Sequence, residues 1–116
     1  MAKAVQYALI SSGGNLSPDI NIANAREVAV HFPVVTSCHV LIEAGFTGAN
    51  SASYFPLSNP SSGSALGAPS KDLELQIGAG SKTLVLTPYV TALTAFRLKT
   101  SQSQTDNRSL AITVTT

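Results

Sequence analysis

Apolar and polar residues alternate through most of the second half of the chain. Leu73-Glu74-Leu75-Gln76-Ile77 is followed by Thr83-Leu84-Val85-Leu86-Thr87, then Ala95-Phe96-Arg97-Leu98-Lys99, then Ser109-Leu110-Ala111-Ile112-Thr113-Val114-Thr115. Successive side chains of a strand point to opposite faces, so each run has one buried and one wet face. The first half carries the same period in shorter pieces. Lys3–Ile10 puts Val5, Tyr7 and Leu9 on one face, and Ile20 with Ile22 predicts a short strand before a turn near Asn24. Glu27–Phe32 aligns Val28, Val30 and Phe32, and Pro33 is expected to end it. Ser37–Glu43 aligns Cys38, Val40 and Ile42, and Tyr54–Leu57 reads as a short edge strand.

The breaks between these runs are made of turn residues. Ser11-Ser12-Gly13-Gly14-Asn15 interrupts the first strand, and Gly78-Ala79-Gly80-Ser81 is short enough for a hairpin turn. Ser58–Ser70, rich in Ser, Gly, Pro and Ala, predicts a long exposed loop, and Thr100–Arg108 a polar one. Pro88–Thr94 has room for one helical turn or a short crossover, and no run is long enough for a helix that covers a sheet. Seven or eight short strands at this spacing predict an all-β fold: a single antiparallel β-sandwich, with jelly-roll connections as one way of joining it. One domain over 1–116 is expected, with 1–36 as an N-terminal strand and loop region and 37–116 as the sandwich strands.

Composition changes this picture at the surface. Charged residues are 11% of the 116, against about 25% in an average protein. Ser, Thr, Asn, Gln and Gly must cover the exterior, and such a surface favours association with other protein surfaces. The net charge is +1, and the closest cationic pair is Arg97 with Lys99 on one strand face. A phosphate track needs a basic cluster, so nucleic acid is not an expected partner. No apolar run approaches the ~20 residues of a membrane span, and the N-terminus lacks the apolar core of a signal peptide. The expectation is a protein made in a cytoplasm, without membrane partner and not secreted.

Candidate chemistry is sparse. Cys38 is the single cysteine. It is in register with Val40 and Ile42 and is expected to be buried, while His39, its neighbour on a strand, faces the other way. His31 points away from the face of Val30 and Phe32. Asp72, Glu74 and Gln76 share a polar strand face, and an enzyme would have to gather Glu43, Asp72, Glu74 or Asp106 in space. The absence of Trp argues against a cleft lined with sugar-stacking aromatics around them. Gly78–Thr83 departs from a phosphate-binding loop because Ser81 separates Gly80 from Lys82. Asn15-Leu16-Ser17 and Asn107-Arg108-Ser109 match the glycosylation sequon by spacing alone. Catalytic residues, metal ligands and cofactor-binding residues are therefore expected to be none.

An ordered pattern stands out above composition. Val40-Leu41-Ile42-Glu43-Ala44-Gly45-Phe46 leads to Tyr54-Phe55-Pro56-Leu57; later come Ser81–Leu86, Thr94–Lys99 and Arg108–Ile112. Over roughly Ser37–Val114 this order resembles small β-sandwich virion proteins of tailed bacteriophages, the capsid decoration (cement) proteins and tail or fibre modules. The resemblance implies a non-enzymatic virion protein that self-associates, often as a trimer, and docks on the major capsid protein to stabilise the shell. The alternative it leaves open is a carbohydrate- or host-receptor-binding module of a tail fibre or baseplate, with the 58–70 loop in its site. Val5, Tyr7 and Leu9 either pack in the chain's own core or, on an exposed edge, meet a neighbour. Tyr54, Phe55 and Tyr89 are the further aromatic candidates for an interface.

Overall fold

Seven strands and one helical turn follow one another: β1 (Lys3–Ile10), β2 (Ile20–Asn21), β3 (Glu27–Gly45), β4 (Tyr54–Pro56), β5 (Glu74–Val85), α1 (Thr87–Val90), β6 (Ala95–Thr100) and β7 (Arg108–Thr115). These come from a computed structural model that describes residues 3–22, 24–45, 54–59, 71–91 and 93–116. Every strand pairing among them is antiparallel, and the all-β class expected from the alternation is what the chain adopts. The strands form one sheet, in the order β1-β7-β3-β6-β2 with β4 and β5 on the other flank of β3, curled until it is nearly closed.

The 19-residue β3 organises this sheet. Its first half lies between β7 and the end of β5, with Ala29 opposite both Thr113 and Val85. Its second half lies between β6 and the start of β5, with Leu41 opposite both Lys99 and Glu74. One layer therefore holds β1, β7 and the N-terminal half of β3; the other holds β2, β6, β4 and its C-terminal half. The core lies between them: Ile10, Val28, Val30, Leu110 and Ile112 face Ile20, Val40, Ile42, Phe96 and Leu98, all nearly or fully buried.

Two expected strand ends are absent. Pro33 does not end a strand, because β3 runs through it. The partner on one flank of β3 changes from β7 at His31 to β6 at Val40, so no ladder bond on that flank needs the N–H that proline lacks. Gly78–Ser81 is likewise no hairpin turn but the middle of β5. Register shifts between Val34 and Cys38 and between Cys38 and His39 bend both strands together at the corner where the layers meet. Gly78, Gly80 and Ser81 take positive φ there. Gly80 has no substitute: its φ is +86°, and a Cβ on it would lie 2.1 Å from the Pro33 carbonyl oxygen.

Gln104 fills the gap that β6 and β7 leave along β3. It is 1% exposed although the sequence places it in a polar loop. Its side-chain oxygen accepts from the Thr36 backbone N–H at 2.9 Å and from Arg108 Nε at 3.2 Å. Its amide nitrogen donates to the Gln102 carbonyl at 3.1 Å. Its own backbone exchanges hydrogen bonds with Gly13 and Gly14. A buried amide so satisfied fixes one loop geometry. The expected helical turn is α1, and Tyr54–Pro56 is the expected short strand. Of the expected 58–70 loop, residues 60–70 lie outside the described residues; Ser58 bridges Asp72, and the Asn59 N–H donates to the Lys71 carbonyl.

Candidate association surface

The parity of β1 is set by its partner. β7 points Leu110, Ile112 and Val114 inward, and β1 sets Ala8, Gln6 and Ala4 opposite them. Directly paired residues share a face, so Ala8 and Ile10 enter the core and Val5, Tyr7 and Leu9 are turned out. They are 56%, 72% and 47% exposed, so the packing of these three side chains into their own core does not occur. The strand buries its less apolar face. Gln6, on the inner face, donates from Nε2 to the Asn21 carbonyl at 2.9 Å and ties β1 to β2 across the opening of the sheet.

Around the stripe, the outer face of this layer can be followed rung by rung. Val5, Thr113, Ala29 and Val85 lie side by side; Tyr7, Ala111, His31 and Thr83 form the next rung; Leu9 and Ser109 begin a third. No Asp, Glu, Lys or Arg occurs in these rungs. The end rung is Lys3, Thr115 and Glu27, with opposite charges at its two sides. A shallow cleft of about 430 Å³ opens at that end, lined by both charged residues, Val85 and Thr113 among others. His31 sits mid-face, its Nδ1 2.8 Å from Thr83 Oγ1 and its Nε2 3.1 Å from Thr113 Oγ1. Both ring nitrogens are thus used in holding three strands together, as its outward direction permits.

The outer face of the other layer has the opposite character. Arg97 Nε donates to Glu43 Oε1 at 2.6 Å across the β3–β6 pair, and its guanidinium lies 4.0 Å from the centre of the Tyr54 ring. The Tyr54 phenol hydrogen-bonds Asp19. Burial first, and then the Asp19 carboxylate, push its pKa from the ordinary 10.0 up to about 12. His39 and Glu74 are 3.7 Å apart on neighbouring strands. Arg97 is therefore held inside the chain rather than paired with Lys99 in a basic patch.

The sequence-derived candidates are consequently dispersed. Val5, Tyr7 and Leu9 form one outward stripe; Tyr54 is engaged with Asp19 and Arg97; Phe55, on β4, is exposed. Tyr89, on α1, borders a separate cleft of about 600 Å³ lined also by Leu57, Ser58, Asn59, Leu73 and Pro88. Glu43 is bound by Arg97, Glu74 lies 3.7 Å from His39 Nε2, Asp72 stands at the Ser58 bridge, and Asp106 lies in the β6–β7 loop. Among the described residues, no three of His, Cys, Asp and Glu gather as a metal site would require. Cys38 is buried as its register indicates; burial raises its thiol pKa, against a weaker lowering by the Gln104 amide. Among the described residues no helix is long and apolar enough to cross a membrane. The missed residue is Gln104: nothing in a polar loop sequence marks the one side chain that turns inward. Comparison with protein families, curated proteins and solved structures finds no match for this chain.

Proposed function

We propose that this is a non-enzymatic structural protein that works by surface contact, a capsid decoration protein of a tailed phage that self-associates and docks on the major-capsid lattice. The observation that carries the reading is the outer face of β1, β7 and β3: it exposes Val5, Tyr7 and Leu9 among Thr, Ser and Ala, with charge confined to Lys3 and Glu27 at its end rung. An exposed apolar stripe of three side chains on a regular strand supports reading this face as a contact surface. The resemblance over Ser37–Val114 supplies the virion setting. The reading is tested by sedimenting the purified protein with expanded capsids that lack it. Saturable binding that Tyr7→Asp weakens supports the proposal, and absence of co-sedimentation overturns it.

The cleft beside Tyr89 favours a second reading, a carbohydrate-binding module of a tail fibre or baseplate. A cleft that combines the Tyr89 ring with the polar residues Ser58 and Asn59 is the kind of surface a sugar ring uses. A glycan array of host surface polysaccharides tests it, with Tyr89→Ala expected to abolish any signal.

A further inference from the structure

The outer columns of β1 and β3 are complementary to each other, with β7 midway between them. Along β1 the outward residues are Lys3, Val5, Tyr7 and Leu9; at the first three of these rungs on β3 stand Glu27, Ala29 and His31. The column between them is Thr115, Thr113 and Ala111. A cation thus lies two strands from an anion, a large apolar side chain two strands from a small one, and a phenol two strands from an imidazole.

We propose that the occupant of this face is a second copy of the chain, related by a two-fold axis that runs along β7. This deepens, and rests on, the reading of the face as the association surface. A two-fold lying in the contact plane exchanges the columns on either side of it. Lys3 then meets Glu27 of the other copy, Val5 fills the space above Ala29, and Tyr7 lies over His31, each contact occurring twice. The small residues Ala111 and Thr113 lie on the axis, where the two sheets approach most closely. This is aligned sheet-on-sheet packing, in which inner faces interdigitate.

Size supports the choice of occupant. The three strands that overlap, at about 4.8 Å spacing, and four rungs at about 6.7 Å give each copy roughly 400 Å² of projected face, so two copies cover on the order of 800 Å², a size that fits a second copy held by a weak contact that dissociates on dilution. Charge supports it too, because the end rung carries one Lys and one Glu and so matches its own two-fold image. The flank of β5 away from β3, which pairs with no strand among the described residues, is a poorer candidate. It carries Glu74 and Lys82 and is bent by the positive-φ residues Gly78, Gly80 and Ser81, devices that blunt an edge against pairing.

The test is the solution mass of the full chain by light scattering across dilution. A dimer that dissociates on dilution is expected, with Tyr7→Asp raising its dissociation constant about tenfold or more. Lys3→Glu and Glu27→Lys, each alone, are expected to raise it about three- to tenfold, and the two combined to restore it. These side chains are exposed, and circular dichroism checks that each variant keeps its strands; Tyr7→Ser serves if Tyr7→Asp does not. A monomer at every concentration, a trimer, a dimer indifferent to Tyr7, or a double charge reversal that fails to restore association overturns the two-fold contact. Capsid binding is scored separately. Binding by a chain that remains monomeric overturns this dimer while leaving the decoration reading standing. A dimer with the expected charge-swap behaviour that ignores capsids supports the two-fold contact and overturns the decoration reading.

Discussion

The two outer faces of this sheet differ in what their side chains do. On the layer of β6 and the C-terminal half of β3, polar groups are used within the chain: Glu43 holds Arg97, Arg97 covers Tyr54, Tyr54 bonds Asp19, and Glu74 meets His39. On the layer of β1 and β7, the stripe of Val5, Tyr7 and Leu9 has only small neighbours beside it. A face that carries several charges gains little from a partner, since docking must desolvate them. An apolar face whose charge is confined to its end rung gains from any partner that excludes water from it. The scarcity of charge in the whole chain is therefore concentrated on one side of the molecule.

The strongest way to break this comparison is to test the parity of β1. Ile10→Ala is expected to cost about 2–4 kcal/mol, and Leu9→Ala, one residue away, less than about 0.5 kcal/mol. Urea unfolding of both variants checks it, and equal losses would show that the strand does not sit in this register. The next effect is on the charged face. Glu43→Gln leaves Arg97, whose side chain is 28% exposed, without its anion and is expected to cost about 1–2 kcal/mol by the same measurement.

A pH series sharpens the comparison further. The Tyr54 phenol is neutral in the folded protein until about pH 12, whereas in the unfolded chain it ionises near 10.0. Between those values the unfolded state binds fewer protons, so its share of the stability is full below pH 10 and is lost as pH rises towards 12. Thermal melts should fall over that window in the parent, and less steeply in Tyr54→Phe. The smallest effect belongs to His39 and Glu74, an exposed pair. Glu74→Gln is expected to change stability by less than about 0.5 kcal/mol at any salt concentration.

Much of the fold was legible in the sequence because alternation is a local property. β1, β6 and β7 were marked within a residue of their bounds, and so was the burial of Cys38. Continuity through Pro33 and through Gly78–Ser81 was not legible. Those residues read locally as strand ends, and only the joint bend of β3 and β5 makes them a corner. The direction of the β1 stripe was hidden for a related reason. Periodicity tells which residues share a face but not which face is inside, and the pairing of Ala8 with Leu110, 102 positions apart, decides it. Tyr54 shows the same limit: an aromatic on a short strand looks free until Asp19 and Arg97 arrive from elsewhere.

The pairing of Lys3 with Thr115 also governs how the protein is made. Of the strands in this sheet β1 is synthesised first, and the strand that pairs with it, β7, is synthesised last. Until then Lys3–Ile10 is a nascent segment apolar on both faces, with Val5, Tyr7 and Leu9 on one and Ala8 and Ile10 on the other. Pairings this distant in sequence form slowly, and a waiting β-prone segment is where chains find one another before they find themselves. Yield during expression should therefore respond to synthesis rate and to chaperones that shield this segment. The same stripe that equips the finished molecule for contact makes its synthesis the most aggregation-exposed moment of its life.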